Sequence, residues 1–263
     1  MLDFYRSAAG AKLLRGHLVA LTASALAIIL AFGLTGLDRS IAQWFFDPAH
    51  NRFPLKNDWL LEKVFHRGAR SASVLCALAV VAAAIAAWFA PPRFARLARW
   101  RAELTFVAVA LVAAPAVVGA LKHYSTHACP WDVAELGGSE PFRHLFEPLR
   151  APFSAEGCLP AAHPVSGFAW LAPALALYPH SRRWSRAWGC AALALGLGLG
   201  FVQMLRGAHF LSHVLWSAWV VWALLIAAQT ISSASVTGTV RDASDAVVPG
   251  ATVQIRNDDT NQT

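Results

Sequence analysis

Long apolar runs without a formal charge recur along the chain, at roughly Leu18 to Leu37, Val74 to Ala90, Leu104 to Leu121, Val165 to Tyr178, Trp188 to Leu205 and Phe210 to Ile231. A helix of about 20 such residues crosses the ~30 Å hydrocarbon core of a bilayer. The pattern therefore predicts an all-α, polytopic bundle of six transmembrane helices. The fourth run is short for that thickness, so its start at Pro164 is expected to lie recessed in the membrane, covered by neighbouring helices. Composition agrees: the chain is 57% hydrophobic and 14% charged, with a mean hydropathy of +0.46, far from the usage of water-soluble domains.

Basic residues give the runs a direction. Short loops rich in Arg and Lys stay on the cytoplasmic side, and three such segments agree: Arg6, Lys12 and Arg15 before the first run; Arg93, Arg96, Arg99 and Arg101 after the second; Arg182, Arg183 and Arg186 after the fourth. Both ends of the bundle are then cytoplasmic, and residues 38–71, 122–163 and 206–209 are outside. The first outer loop also carries Arg39, Lys56, Lys63, Arg67 and Arg70, diluted by Asp38, Asp47, Asp58 and Glu62. Its "IAQWFFD" and "WLLEKVFHRGAR" interleave apolar with basic residues, as an interfacial helix or a connector resting on the membrane does. The net charge of +7 sits at apolar helix ends, where topology and anionic head groups place it, which argues against a nucleic-acid partner. The first run has the basic flank of a signal peptide but is too long and lacks a small-residue cleavage pattern, so it reads as a retained helix.

The four cysteines divide by position. Cys76 and Cys190 lie inside apolar runs and read as inert core residues, whereas Cys129 and Cys158 share one outer loop and are candidates for a disulfide. That bridge would close a loop of about 30 residues and contribute roughly 3 to 4 kcal/mol on the chain-entropy model. The organisation expected is a membrane domain over residues 1–231 and a tail over 232–263. In the tail, "VTGTVRDASDAVVPGATVQIRN" alternates apolar and polar positions around Pro249-Gly250, a strand-like pattern. It resembles the opening strands of the carboxypeptidase-regulatory-like β-sandwich, too short to build one, and reads as a fusion remnant or a disordered segment.

Candidate chemistry lies in three polar clusters at the outer mouths of the helices. In "RGAHFLSHVLWS", His209 and His213 are four residues apart and share a helix face; Gln203 and Arg206 close the preceding helix, three apart. A nucleophilic imidazole needs a partner on its second ring nitrogen, and a phosphoryl group in transfer needs cationic donors on its equatorial oxygens. In "CLPAAHPVSGF", His163 precedes Pro164, so the helix start is expected to offer free N–H groups near Val165 to Gly167, and the imidazole is suited to proton transfer. In "KHYSTHACPWD", Lys122 closes the third run as a point charge for phosphate. His17, His50, His66, His144 and His180 read as polar anchors, and Trp44, Trp59, Trp88 and Trp216 as interface-belt residues.

Together the clusters resemble the signature of the type 2 phosphatidic acid phosphatase family, the lipid phosphate phosphatases related to vanadium-dependent haloperoxidases. The family pattern is Lys, six residues and Arg-Pro; then Pro-Ser-Gly-His; then Arg, five residues, His, three residues and Asp. Here Lys122 is followed by six residues and Cys129-Pro130, the second element is Pro160-Ala161-Ala162-His163, and the third is Gln203, five residues, His209, three residues and His213. Order, spacing and topology match over roughly residues 18–231, while Arg is replaced by Cys129, Ser-Gly by Ala161-Ala162, Arg by Gln203 and Asp by His213. "CPWD" and "RGAHFLSH" look like the form taken by a bacterial subfamily.

The resemblance implies metal-free and cofactor-free hydrolysis of a phosphomonoester or pyrophosphate through a phosphohistidine, on a lipid of the bacterial inner membrane such as lipid A, undecaprenyl diphosphate or phosphatidic acid. His209 would attack phosphorus, oriented by His213 or a backbone carbonyl; His163 would protonate the leaving group and then activate water; Lys122, Arg206 and Gln203 would hold the phosphoryl oxygens. Asp132 is the carboxylate that could reach His213 if the outer loop folds back. Two other readings fit the same residues. One is a catalytically silent lipid-phosphate-binding membrane protein. The other is a metal site drawn from His123, His127, Cys129, His163, His209 and His213, which Lys122 and Arg206 would oppose by repelling a cation. Oligomeric state is not legible in the sequence.

Overall fold

A computed structural model describes residues 2–145, 147 and 157–232. Five helices are long and apolar enough to cross a membrane: α1 (Ala8–Gly33), α2 (Leu60–Trp88), α3 (Arg101–His123), α5 (Arg182–Leu205) and α6 (Leu211–Gln229). The fourth apolar run forms a shorter helix, α4 (Val165–Leu177). At 1.5 Å per residue it covers roughly 20 Å, less than the ~30 Å hydrocarbon core. The protein is thus an all-α, multi-pass membrane bundle with five helices long and apolar enough to span and a shorter sixth, α4, that runs antiparallel to α5. The tail, read above as an incomplete β segment, lies outside the described residues.

The largest departure from the expected boundaries is in α2. It begins at Leu60 rather than near Val74, with Leu60–Gly68 wound as a π-helix that runs directly into Ala69–Trp88. The stretch "WLLEKVFHRGAR" is therefore the N-terminal end of a long apolar helix rather than a separate connector. Its charged residues interrupt the apolar run without ending the helix.

Packing explains how α4 can stay short. It lies against α5 and α6, with α3 behind it, and α2 pairs with α3. Phe168, Ala172, Val165 and Ala161 are buried against Val118 and Ala114 of α3 and Val214 and Val221 of α6. The α4–α5 approach depends on two glycines: a Cβ at Gly167 would stand 2.4 Å from Gly196 N, and one at Gly196 would stand 2.2 Å from the Phe168 ring. Small residues at helix contacts are what permit this approach in a membrane, where apolar lipid removes the hydrophobic drive between helices. Ser73 of α2 donates to Ser166 O at 2.9 Å and accepts from Trp170 Nε1 at 3.0 Å, fixing α2 against the start of α4.

Cys76 and Cys190, expected in the core, are both free and exposed. They occupy the outward faces of α2 and α5, and an apolar position in a spanning helix is as readily lipid-facing as buried.

Candidate active site

The corner between α5 and α6 sets the geometry. Gly207 follows the last helical residues of α5 with φ of 74°, its N–H donates to Met204 O at 2.9 Å, and Ala208 N–H donates to Gln203 O at 2.8 Å. This pair of bonds is the Schellman arrangement, which needs a left-handed residue at the position where this chain has glycine. A Cβ at Gly207 would also stand 2.4 Å from the Phe53 ring. The turn throws the chain directly into α6, so that Gln203, Arg206 and His209 converge. Asp38, in the short helix Leu37–Gln43, then accepts the Ser212 N–H at 3.0 Å and the Ser212 hydroxyl, capping the start of α6.

A cavity of about 520 Å³ opens here, lined among others by Lys122, His163, Gln203, Arg206 and His209. Five of the six residues expected for catalysis and phosphate binding thus share one cavity. His213 does not: it lines a second, small cavity of about 20 Å³ with Asp38 and His127. The rings of His209 and His213 are 5.9 Å apart between centroids. The carboxylate on the His213 side is Asp38, not Asp132, which sits in the turn Pro130–Asp132. Burial raises the Asp38 carboxyl to about 6, against the opposing effect of its bonds from Ser212.

At His209, Nδ1 faces a sulfur. Cys129 and Cys158 form a disulfide, and Cys158 Sγ lies 3.2 Å from His209 Nδ1 and 3.2 Å from Ala208 O. A disulfide sulfur has no hydrogen, so the second approach is a contact and the first is a weak N–H donation to sulfur. That tautomer leaves the lone pair on Nε2. Burial pushes the His209 imidazole well below its usual value, reinforced by His213 and Lys122, so it is neutral at pH 7.

His163 is held differently. Its Nε2 is 3.1 Å from Phe65 O, which fixes the Nε2–H tautomer, and its Nδ1 is buried without a partner. Burial, with His66 next in weight, pushes this imidazole down to about 4. The free N–H groups expected at the start of α4 are not available as a set: Ser166 and Gly167 N–H donate to His163 O and Pro164 O. Gln203 is 2% exposed; its Oε1 accepts from Arg206 while its Nε2 has no partner, so an amide donor is left over at the cavity wall.

Sequence reasoning missed the contribution of α2. His66, dismissed as an anchor, accepts from Arg206 Nη1 at 3.0 Å and stacks edge-on against His163 with ring centroids 4.4 Å apart. Glu62 lies 3.7 Å from Arg206 Nη2. The spacing of His66, Arg70, Val74 and Ala77 would have revealed one helix face had the repeat been followed outward from the apolar run.

The ligand set of the metal reading is dispersed. Cys129, Cys158 and His209 place ligand atoms within 4.8 Å of one another, but the joined sulfurs offer no thiolate. His123 is exposed, and His127 turns toward the small cavity.

A family model described as PAP2 superfamily matches residues 103–236, slightly more than half of the 263-residue chain. The chain belongs to the PAP2 superfamily. Members of the PAP2 superfamily are phosphatases, and this chain is accordingly assigned to the phosphoric ester hydrolases. No curated protein and no solved structure matches it. The matched residues include all three polar clusters and leave out α1 and α2.

Proposed function

We propose that this PAP2 protein hydrolyses a phosphomonoester or pyrophosphate carried by a membrane lipid, without a metal ion and through a phosphohistidine, at a site on the outer side of a bacterial inner membrane. The observation that carries the reading is the shared cavity, in which Lys122, Arg206 and the unpartnered Gln203 amide surround a neutral His209. His209 Nε2 attacks phosphorus; the P–O bond to the leaving group breaks, and the departing oxygen takes the proton that the substrate phosphate brought in and passed to His163 Nδ1. Water then attacks the phosphohistidine as His163 Nδ1 takes its proton, releasing inorganic phosphate and restoring His209. Cys158 supplies the contact at His209 Nδ1, and His213 stands behind it with ring centroids 5.9 Å apart. The positive-inside pattern supports the outer placement. Lipid A, undecaprenyl diphosphate and phosphatidic acid all present the required group from the bilayer.

The reading is tested by phosphate release from these three lipids by the purified protein in detergent with EDTA present. Turnover that EDTA leaves intact and vanadate inhibits is expected. Vanadate binding without turnover on any of the three would favour the silent lipid-phosphate-binding alternative.

The depressed imidazoles also fix a pH dependence. At pH 7 the free protein has both histidines neutral, so the proton for the leaving group arrives with the substrate, whose phosphate has a second pKa near ~6. As pH falls toward ~6 more substrate carries that proton, and kcat/KM rises; it falls again once His163 protonates, at about 4. A kcat/KM profile should therefore peak on the acid side of neutrality, and a plateau extending above pH 8 would contradict it.

A further inference from the structure

Relative to the family pattern, the motif positions of two arginines hold Cys129 and Gln203. The cavity nevertheless has three permanent cations on its wall: Arg70, Lys122 and Arg206. They are not equivalent. Arg206 is engaged on every side: Nε donates to Lys56 O at 3.1 Å, Nη1 donates to Gln203 Oε1 and His66 Nδ1, and Nη2 lies beside Glu62. Among the described residues, Arg70 and Lys122 have neither a hydrogen bond nor an ion pair from their side chains.

Arg70 stands on α2, which the family model does not match. It falls on the face formed with His66, Val74 and Ala77, at steps of four, four and three residues, and all four line the cavity. One turn further on, Ser73 ties this face to Ser166 and Trp170, so the position of Arg70 is set relative to His163. The Arg70 charge is among those that hold the His163 imidazole below its usual value. A groove of about 600 Å³ on the outward side of α2 shares His66, Arg70 and Val74 with the cavity. Arg70 therefore stands where the two meet. Arg70 is exposed near the start of α2 and, among the described residues, its guanidinium has no partner, so it is free to meet an anion at the cavity mouth.

We infer that Arg70 is a phosphoryl-binding residue, which beside the motif lysine Lys122 supplies charge that the replaced motif arginines would otherwise bring. The inference rests on the proposed phosphatase reading for the nature of the ligand. Its consequence is that substrate binding draws on a helix outside the motifs.

The test is vanadate binding by calorimetry, with KM and kcat for phosphate release, in purified Arg70→Gln, Arg70→Lys and Arg67→Gln proteins. Loss of one charge-assisted contact corresponds to roughly tenfold or more in affinity. Arg70→Gln should weaken vanadate binding and raise KM by about that factor, with kcat changed much less. Arg70→Lys should recover part of the loss. Arg67, which pairs with Glu62 at 2.7 Å and does not line the cavity, should tolerate Gln with both constants unchanged. Vanadate affinity within about twofold of the unaltered protein in Arg70→Gln would overturn the inference alone. Failure of the unaltered protein to bind vanadate or release phosphate would overturn the proposed function as well.

Discussion

In the His209→Ala protein, phosphate release is expected to fall by at least about a thousandfold, since the covalent route has lost its nucleophile and only binding and electrostatic effects remain. The argument is geometric. His209 is held by the Gly207 turn behind it, the Asp38-capped first turn of α6 ahead of it, and Cys158 Sγ at its Nδ1. Its Nε2 is the ring nitrogen left to meet phosphorus. Alanine removes that atom and the Nδ1 contact to Cys158 but leaves the Gly207 turn and the Asp38 cap, so insertion and thermal stability should change little. The assay is phosphate release alongside trapping of acid-labile phosphoprotein, which should vanish in the variant. Retention of either signal would remove His209 from the nucleophile role.

Breaking the Cys129–Cys158 bridge should act on stability and on activity together. The bridge closes a sequence separation of 29 residues, which the chain-entropy model values at about 3 to 4 kcal/mol. Its second effect is local, because Cys158 Sγ is the atom at His209 Nδ1. With the bridge cut, the segment around Cys158 is held chiefly by backbone bonds such as Cys158 N to His127 O at 2.9 Å, and the ring loses a fixed neighbour. Treatment with dithiothreitol, or the Cys129→Ser/Cys158→Ser double substitution, should lower Tm and depress kcat by about tenfold or more, measured well below the new Tm. Thiol titration in denaturing detergent gives the control: the free Cys76 and Cys190 should react without reduction, and the other two only after it. Full activity with all four thiols titrating would exclude a positioning role for the bridge.

The helical class, five spanning helices and the three polar clusters are all legible in the sequence, because long uncharged runs and residues of fixed chemistry at fixed spacing need no tertiary information. What was hidden depends on contacts between distant segments. The N-terminal third of α2 reads as a loop because His66, Arg67 and Arg70 are polar, and only the fold shows His66 and Arg70 lining a cavity. Asp38 gave no signal either: it reads as one acidic residue diluting a basic loop, and it is bonded to Ser212, 174 positions away. The neighbour of His209 was sought four residues along its own helix, at His213, when it comes from Cys158, 51 positions earlier. The N–H groups at the start of α4 were expected to be free, but the 3₁₀-like bonds to His163 O and Pro164 O use them.

The corner at Gly207 bears on why this chain tolerates unfamiliar letters in a familiar pattern. Gln203, Arg206 and His209 hang from one hydrogen-bonded turn, so their mutual placement is governed by the count of residues between them. Exchanging one side chain for another alters a single contact. Inserting or deleting one residue within the helical part of this segment would rotate everything beyond it by about 100° and carry His209 away from the cavity. The motif survives here as a ruler: its intervals are intact although five of its positions carry other residues.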